Sequence, residues 1–125
     1  MFVVEIESGV RDWLGDARNV SPRQYRQALR AVQRLRADPT AMGGMVKSLG
    51  GGLWELRLTH CGDVSIRIPF WVTDDKRIIL LTVFEKTRQV ERAEIERARR
   101  LMEECRAGCP GHEPATDEYR RFEDG

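Results

Sequence analysis

Residues Leu53–Val72 read LWELRLTHCGDVSIRIPFWV, and their alternation decides the fold class. In the first half Trp54, Leu56 and Leu58 alternate with Glu55, Arg57 and Thr59. In the second, Val64, Ile66, Ile68, Phe70 and Val72 alternate with Ser65, Arg67, Pro69 and Trp71. Period two with one apolar face predicts strands over Leu53–Thr59 and Val64–Val72. His60-Cys61-Gly62-Asp63 between them predicts a short hairpin turn. Pro69 has no N–H for a ladder, so a bulge or an open edge is expected beside it.

Outward from this hairpin, Arg77–Glu85 is apolar on both faces (Ile78, Ile79, Leu80, Leu81, Val83, Phe84), which predicts a central strand covered on both sides. The preceding segment 39–52 reads as a loop, with Gly43, Gly44, Gly50, Gly51 and Gly52. Its three consecutive glycines do not form a phosphate loop: no Gly-Lys-Ser/Thr follows, and a strand comes next rather than a helix. Ser21-Pro22 opens a helix over 22–37, with serine suited to the N-cap and proline to the first helical position. Tyr25, Ala28, Leu29, Val32 and Leu35 share one face of it, and Arg23, Arg26, Arg30 and Arg34 the other. Asp38-Pro39 ends it.

A short strand over 2–7 is broken by Ser8 and Gly9, and Val10, Trp13, Leu14 and Ala17 predict a short helix over 10–17. A closing helix over 90–107 buries Ile95, Ala98, Leu101, Met102 and Cys105, with Gly108 and Pro110 to stop it. The order is strand, helix, helix, three strands, helix. It predicts an α+β fold: a small, twisted, mostly antiparallel sheet, two N-terminal helices packed on one face and a C-terminal helix. Residues 1–107 form the domain, and 108–125 a polar, acidic tail.

The chain has 125 residues, 41% apolar and 33% charged, which fits one globular domain and excludes a disordered chain. No apolar run approaches the roughly 18 residues of a membrane span, and no basic segment precedes an apolar one at the N-terminus, so neither membrane nor secretion is expected. Three cysteines argue against a disulfide scaffold, which makes a reducing, cytoplasmic setting the expectation. The net charge of +1 hides a basic 1–107 and an acidic tail. Between Asp16 and Asp38 lie Arg18, Arg23, Arg26, Arg30, Arg34 and Arg36 and no acid. This is either a surface for an anionic partner or a solvated helix face.

Candidate chemistry gathers on the strands. Arg57 and Arg67 lie on the polar faces of the two hairpin strands, close enough to repel each other unless an anion lies between them. A phosphate suits them, because guanidinium binds it bidentately. Lys47, Lys86 and Arg88 flank the pair. The five form either a cationic cup or, with Glu55 and other acids, ordinary ion pairs. Trp71 shares a face with Arg67 and is a candidate for stacking on a base, whereas Trp13 and Trp54 are expected in the core. His60 on the turn is a candidate base, and His112 and Tyr119 in the tail are candidates to fold over the cup. Cys105, Cys109 and His112 have thiolate and imidazole ligands for zinc but lack a fourth, so core packing is expected for Cys105 and no metal for the chain.

Four pieces in order also resemble a known family. Lys47-Ser-Leu-Gly-Gly-Gly-Leu-Trp-Glu-Leu-Arg57 is similar to the K-x-L-x-x-G-L-x-E-L-R signature of the phage-derived, HigB-like branch of the RelE/ParE toxins. Arg67-Ile-Pro-Phe-Trp71 resembles that family's R-I-x-Y strand. Ile79–Arg88 resembles its I-x-L-L-x-x-F-x-K-T strand and exit, and Glu91–Ala98 its closing helix. The resemblance implies the toxin of a type II toxin–antitoxin pair that cuts mRNA on the ribosome as a metal-independent endoribonuclease. It implies Arg67, Arg57 and Lys86 as catalytic residues, with Lys47, Arg88 and Trp71 toward RNA. It also implies a cognate antitoxin as partner and no cofactor; a small-molecule ligand is not expected. Phe70 stands where the family has tyrosine, and Glu85 where many members are basic. A ParE-like inhibitor of DNA gyrase, or a degenerate member that only binds antitoxin or nucleic acid, are the alternatives.

Overall fold

The alternating stretch folds as two long strands of one antiparallel hairpin. The computed structural model describes residues 2–61, 64–86, 91–107 and 113–114. Strand β3 (Leu53–Cys61) and strand β4 (Val64–Val72) pair in a register that sets Trp54 opposite Phe70, Leu56 opposite Ile68 and Leu58 opposite Ile66. All six are on one face, as alternation demands.

The remaining elements build an α+β domain around this hairpin. They are β1 (Val3–Ile6), α1 (Ser8–Val20), α2 (Pro22–Ala37), two 3₁₀ turns (Pro39–Ala41 and Gly43–Met45), β2 (Val46–Gly50), β5 (Arg77–Leu80), β6 (Phe84–Glu85), α3 (Glu91–Arg106) and β7 (Glu113–Pro114). The strand order is β2-β3-β4-β5-β1-β7, with β6 also pairing β4. Each pair is antiparallel except β1 with β5.

The helices divide between the two faces. Helices α1 and α2 lie on one face, where Val10, Leu14, Tyr25, Ala28, Val32 and Leu35 pack on Val4, Ile6, Leu56, Ile66, Ile68 and Phe70. Helix α3 covers part of the opposite face, where Ala98 and Met102 pack on Leu53, Ile79 and Leu81. The central-strand reading of the third run thus holds for Ile78–Leu81, which is buried between the two layers.

Local departures from the expected elements have local causes. The predicted single strand over 77–85 is two, with a break at 81–83. Leu81 N–H donates to Pro69 O at 2.9 Å, which turns the backbone polar groups of Pro69 toward that break. Pro69 has no N–H to offer there, and β4 changes partner from β5 to β6 across it. Helix α2 has the predicted boundaries, but the Ser21 hydroxyl makes no capping bond; Ser21 N–H closes α1 on Ala17 O instead. Helix α1 runs longer than expected, since Ser8 and Gly9 begin it rather than break the chain.

The 39–52 segment is also more ordered than a loop, because β2 forms there as an edge strand. Gly50, Gly51 and Gly52 all have positive φ (88°, 65° and 89°), which makes the β2–β3 turn a glycine-only conformation. Arg99 donates to Leu49 O and Gly50 O, and Arg106 to Gly51 O, each at 3.1 Å. The glycines therefore serve a turn held by α3.

Candidate basic site on the sheet

Arg57 and Arg67 are direct cross-strand partners in the β3–β4 register. Directly opposed residues share a face with Cα atoms about 4.5–5.5 Å apart. That face is the one α3 covers in part, since Arg57 and Arg67 alternate with core residues packed under α1 and α2. Arg57 is half-buried and Arg67 is only 3% exposed.

Burying a guanidinium is costly unless its N–H groups are satisfied. Arg67 Nε and Nη1 and Arg57 Nε are buried without a hydrogen-bond partner. Among the described residues, neither arginine has a carboxylate within 4.0 Å. Among the described residues, the ordinary ion-pair reading of these two arginines therefore fails on distance. Two cations in register, with guanidinium nitrogens left unbonded among the described residues, are suited to an oxyanion.

Glu55 is the residue that sequence reasoning undervalued. It shares the arginine face two residues before Arg57, opposes Lys47 on β2 and Pro69 on β4, and is 3% exposed. Its Oε2 is buried and unpartnered. Burial pushes its carboxyl above the usual range; Arg67 opposes that shift most, Glu91 adds to it, and Arg57 and Lys47 oppose it further. In an alternating strand a glutamate reads as solvent-facing. Its burial comes from tertiary packing, which no local pattern announces.

The other candidates fall at different distances. Lys86 extends the β4–β6 ladder, its N–H donating to Ser65 O at 2.8 Å. Since Arg67 opposes Phe84, this register sets Lys86 on the Arg67 face, one diagonal step away and exposed. Lys47 is exposed on the edge strand. Trp71 lies farther along β4, packed with the α3 cluster, with the Arg106 guanidinium 5.3 Å from its ring centroid. Its ring is thus engaged by the protein's own cation. Arg88, Cys109, His112 and Tyr119 lie outside the described residues, as do the side chains of His60 and Cys61.

The two residues that depart from the family pattern face away from the arginines. Phe70 is buried in the α1–α2 core, and Glu85 opposes Ile66. Trp54, expected in the core, is 39% exposed at the rim of that same face. With Phe2, Val46, Phe70 and Val72 it lines an apolar cavity of about 500 Å³. Cys105 packs against the α3 cluster, where burial raises its thiol pKa. Among the described residues no group of His, Cys, Asp and Glu is arranged to hold a metal ion. No helix among them is long and apolar enough to cross a membrane.

A family model described as phage-derived protein Gp49-like (DUF891) matches residues 15–103, from the second half of α1 through most of α3. No curated protein and no solved structure matches the chain significantly.

Proposed function

The chain belongs to the phage-derived Gp49-like family, which is associated with RelE-type toxins of toxin–antitoxin pairs, and from this premise we propose that it is such a toxin and cleaves mRNA on the ribosome without a metal ion. The observation that supports this most is the in-register Arg57–Arg67 pair, with buried guanidinium nitrogens that have no hydrogen-bond partner among the described residues.

The chemistry asks little else of the protein. The ribose 2′-hydroxyl gives its proton to solvent water as its oxygen attacks the adjacent phosphorus, the bond from phosphorus to the 5′-oxygen breaks, and a 2′,3′-cyclic phosphate and a 5′-hydroxyl result. Negative charge on the phosphoryl oxygens grows toward the transition state, and donors fixed beforehand stabilise it without reorganising. Arg67 and Arg57 hold the two non-bridging oxygens. Lys86, exposed one step away, gives a proton to the departing 5′-oxygen. Lys47 and Arg88 attract the backbone of the RNA, and a cognate antitoxin restrains the toxin in the cell. The HigB-like branch is the member of the wider superfamily that the motifs resemble most.

Expression without antitoxin in a bacterial host, with 5′-end mapping of total mRNA, tests the reading. Arrested growth with new, ribosome-phased cuts, both lost in Arg67→Ala, is the expected result. Arrest with intact mRNA and blocked replication would replace it with gyrase inhibition. A folded protein that neither arrests growth nor cuts would leave a binding module.

A further inference from the structure

Among the described residues, four charged groups face Glu55: Arg57 from its own strand, Arg67 from β4, Lys47 from β2 and Glu91 from the start of α3. Glu55 and Arg67 are each 97% removed from solvent, lie on the same face and are offset by one step of the ladder. They interact as charges yet form no ion pair within 4.0 Å, and each keeps a buried atom without a partner. A pair that close gains from attraction but leaves donors and acceptor unsatisfied, which is the costly arrangement for buried charge.

We propose that Glu55 is the internal counter-anion of the Arg57–Arg67 pair, and that a phosphodiester entering the pair supplants it, Glu55 taking up one proton as the phosphodiester binds. This rests on the RNA-cleaving reading for the identity of the ligand, though not for the coupling itself.

The argument is one of charge. Without ligand, Glu55 faces three cations and one further anion, Glu91, among the described residues. A phosphodiester adds a third anion and takes the guanidinium N–H groups in bidentate fashion. The cations that had favoured the Glu55 carboxylate are then committed elsewhere, and a like charge sits beside it. Both changes disfavour the ionised carboxyl in a buried position. Protonation removes the repulsion and converts Glu55 from an acceptor into a group with an O–H to donate. Because binding takes up a proton, affinity falls as pH rises. For a single proton the limit is about tenfold in Kd per pH unit, between the free and ligand-bound titration ranges of Glu55.

The test uses the full chain and two probes. Dimethyl phosphate is a diester anion that does not itself titrate near neutrality. Carbon-13 NMR of the Glu55 carboxyl across pH, with and without it, reads the coupling directly. The Glu55 titration is expected to move to higher pH when the arginine side-chain signals respond to the probe. A titration that stays in place while they respond, or no response from either, overturns the proposal. The second probe is a 2′-O-methyl single-stranded RNA, which cannot be cleaved. Calorimetry in two buffers of different ionisation heat should show proton uptake and a pH-dependent Kd, both lost in the isosteric Glu55→Gln while binding persists. Equal uptake in Glu55→Gln overturns the proposal as well. Coupling seen with dimethyl phosphate in a protein that cuts no RNA would instead remove the nuclease reading and leave the anion site standing.

Discussion

The two faces of the sheet are built by the same alternation and end in opposite states. Under α1 and α2 the face is one continuous apolar layer, from Val4 and Ile6 across Phe70 and Ile68 to Leu56. Under α3 the apolar part is small, centred on Leu53, Ile79, Leu81, Ala98 and Met102, and the rest carries Glu55, Arg57 and Arg67. The first face holds the fold; the second accepts buried charge. Helix α3 lies over part of this second face and brings Glu91 to act on Glu55, while Glu55 Oε2, Arg57 Nε and Arg67 Nε and Nη1 stay without a hydrogen-bond partner among the described residues.

The largest effect should come from the charged face. Arg67→Ala is expected to lower RNA cleavage by roughly 10²- to 10³-fold, the usual cost of losing one preorganised donor to a developing oxyanion. Arg26→Ala, on the exposed side of α2, should leave cleavage within about twofold. Single-turnover rates on a model mRNA in the presence of ribosomes check both. Equal losses would erase the distinction between a solvated arginine row and a built site. Unchanged cleavage in Arg67→Ala would move the chemistry off this face.

The apolar faces can be compared by truncation. Leu35→Ala removes a fully buried side chain from the large layer and should cost about 3 kcal/mol. Met102→Ala removes one of similar burial from the small layer. It should cost about 2 kcal/mol, because a flexible side chain in a five-residue cluster leaves neighbours that relax into the space. Urea denaturation gives both values. A larger loss at Met102 would make α3 the principal support of the sheet.

How α3 is fastened gives a smaller effect. Gly52 has φ of 89°, and a Cβ there would come within 2.5 Å of Arg106 Nη2. Arg106 is long enough to swing aside, so the contact itself is cheap, but the left-handed backbone costs an alanine about 1–2 kcal/mol. Gly52→Ala should destabilise by that amount, and faster amide exchange should follow in α3, where the clamp on Gly51 O is lost.

The sequence revealed the first face better than the second. Ser21-Pro22 and Asp38-Pro39 bounded α2, and strict alternation revealed β3, β4 and the face that Arg57 and Arg67 share, because local pattern and tertiary burial agree there; the direct Arg57–Arg67 register and the extension of β3 from Thr59 to Cys61 came from the pairing. Strand β2 went unread: Val46–Gly50 is an exposed edge with lysine, serine and glycine, and its pairing rather than its composition makes it a strand. The break at 81–83 was hidden in a continuous apolar run, although Pro69 had already signalled a bulge. The parallel β1–β5 pair joins residues more than 70 apart and leaves no local trace. For the site, the arginines were legible because charges on an alternating strand are conspicuous. The burial of Glu55 was not, since it comes from tertiary packing and leaves no mark in the alternation.

That burial makes the subtlest prediction. The carboxyl of Glu55 is raised in the folded protein, with desolvation the leading cause and Arg67 the main opposing charge. A carboxyl with a folded value above its unfolded one binds more protons when folded, so stability falls as pH rises between the two values. Below the unfolded value both states are protonated and nothing is lost; above the folded value the full cost of the buried carboxylate is present. Glu55→Gln keeps the shape and cannot ionise. Its stability relative to the native chain should therefore climb as pH rises through that window and level off above it, read as the difference in urea midpoints from acidic to neutral pH. A difference that is flat with pH would mean that Arg57, Arg67 and Lys47 repay the desolvation in full. A difference that falls would make Glu55 a stabilising carboxylate, and the charged face would then resemble an ordinary ion-pair surface more than a site waiting for an anion.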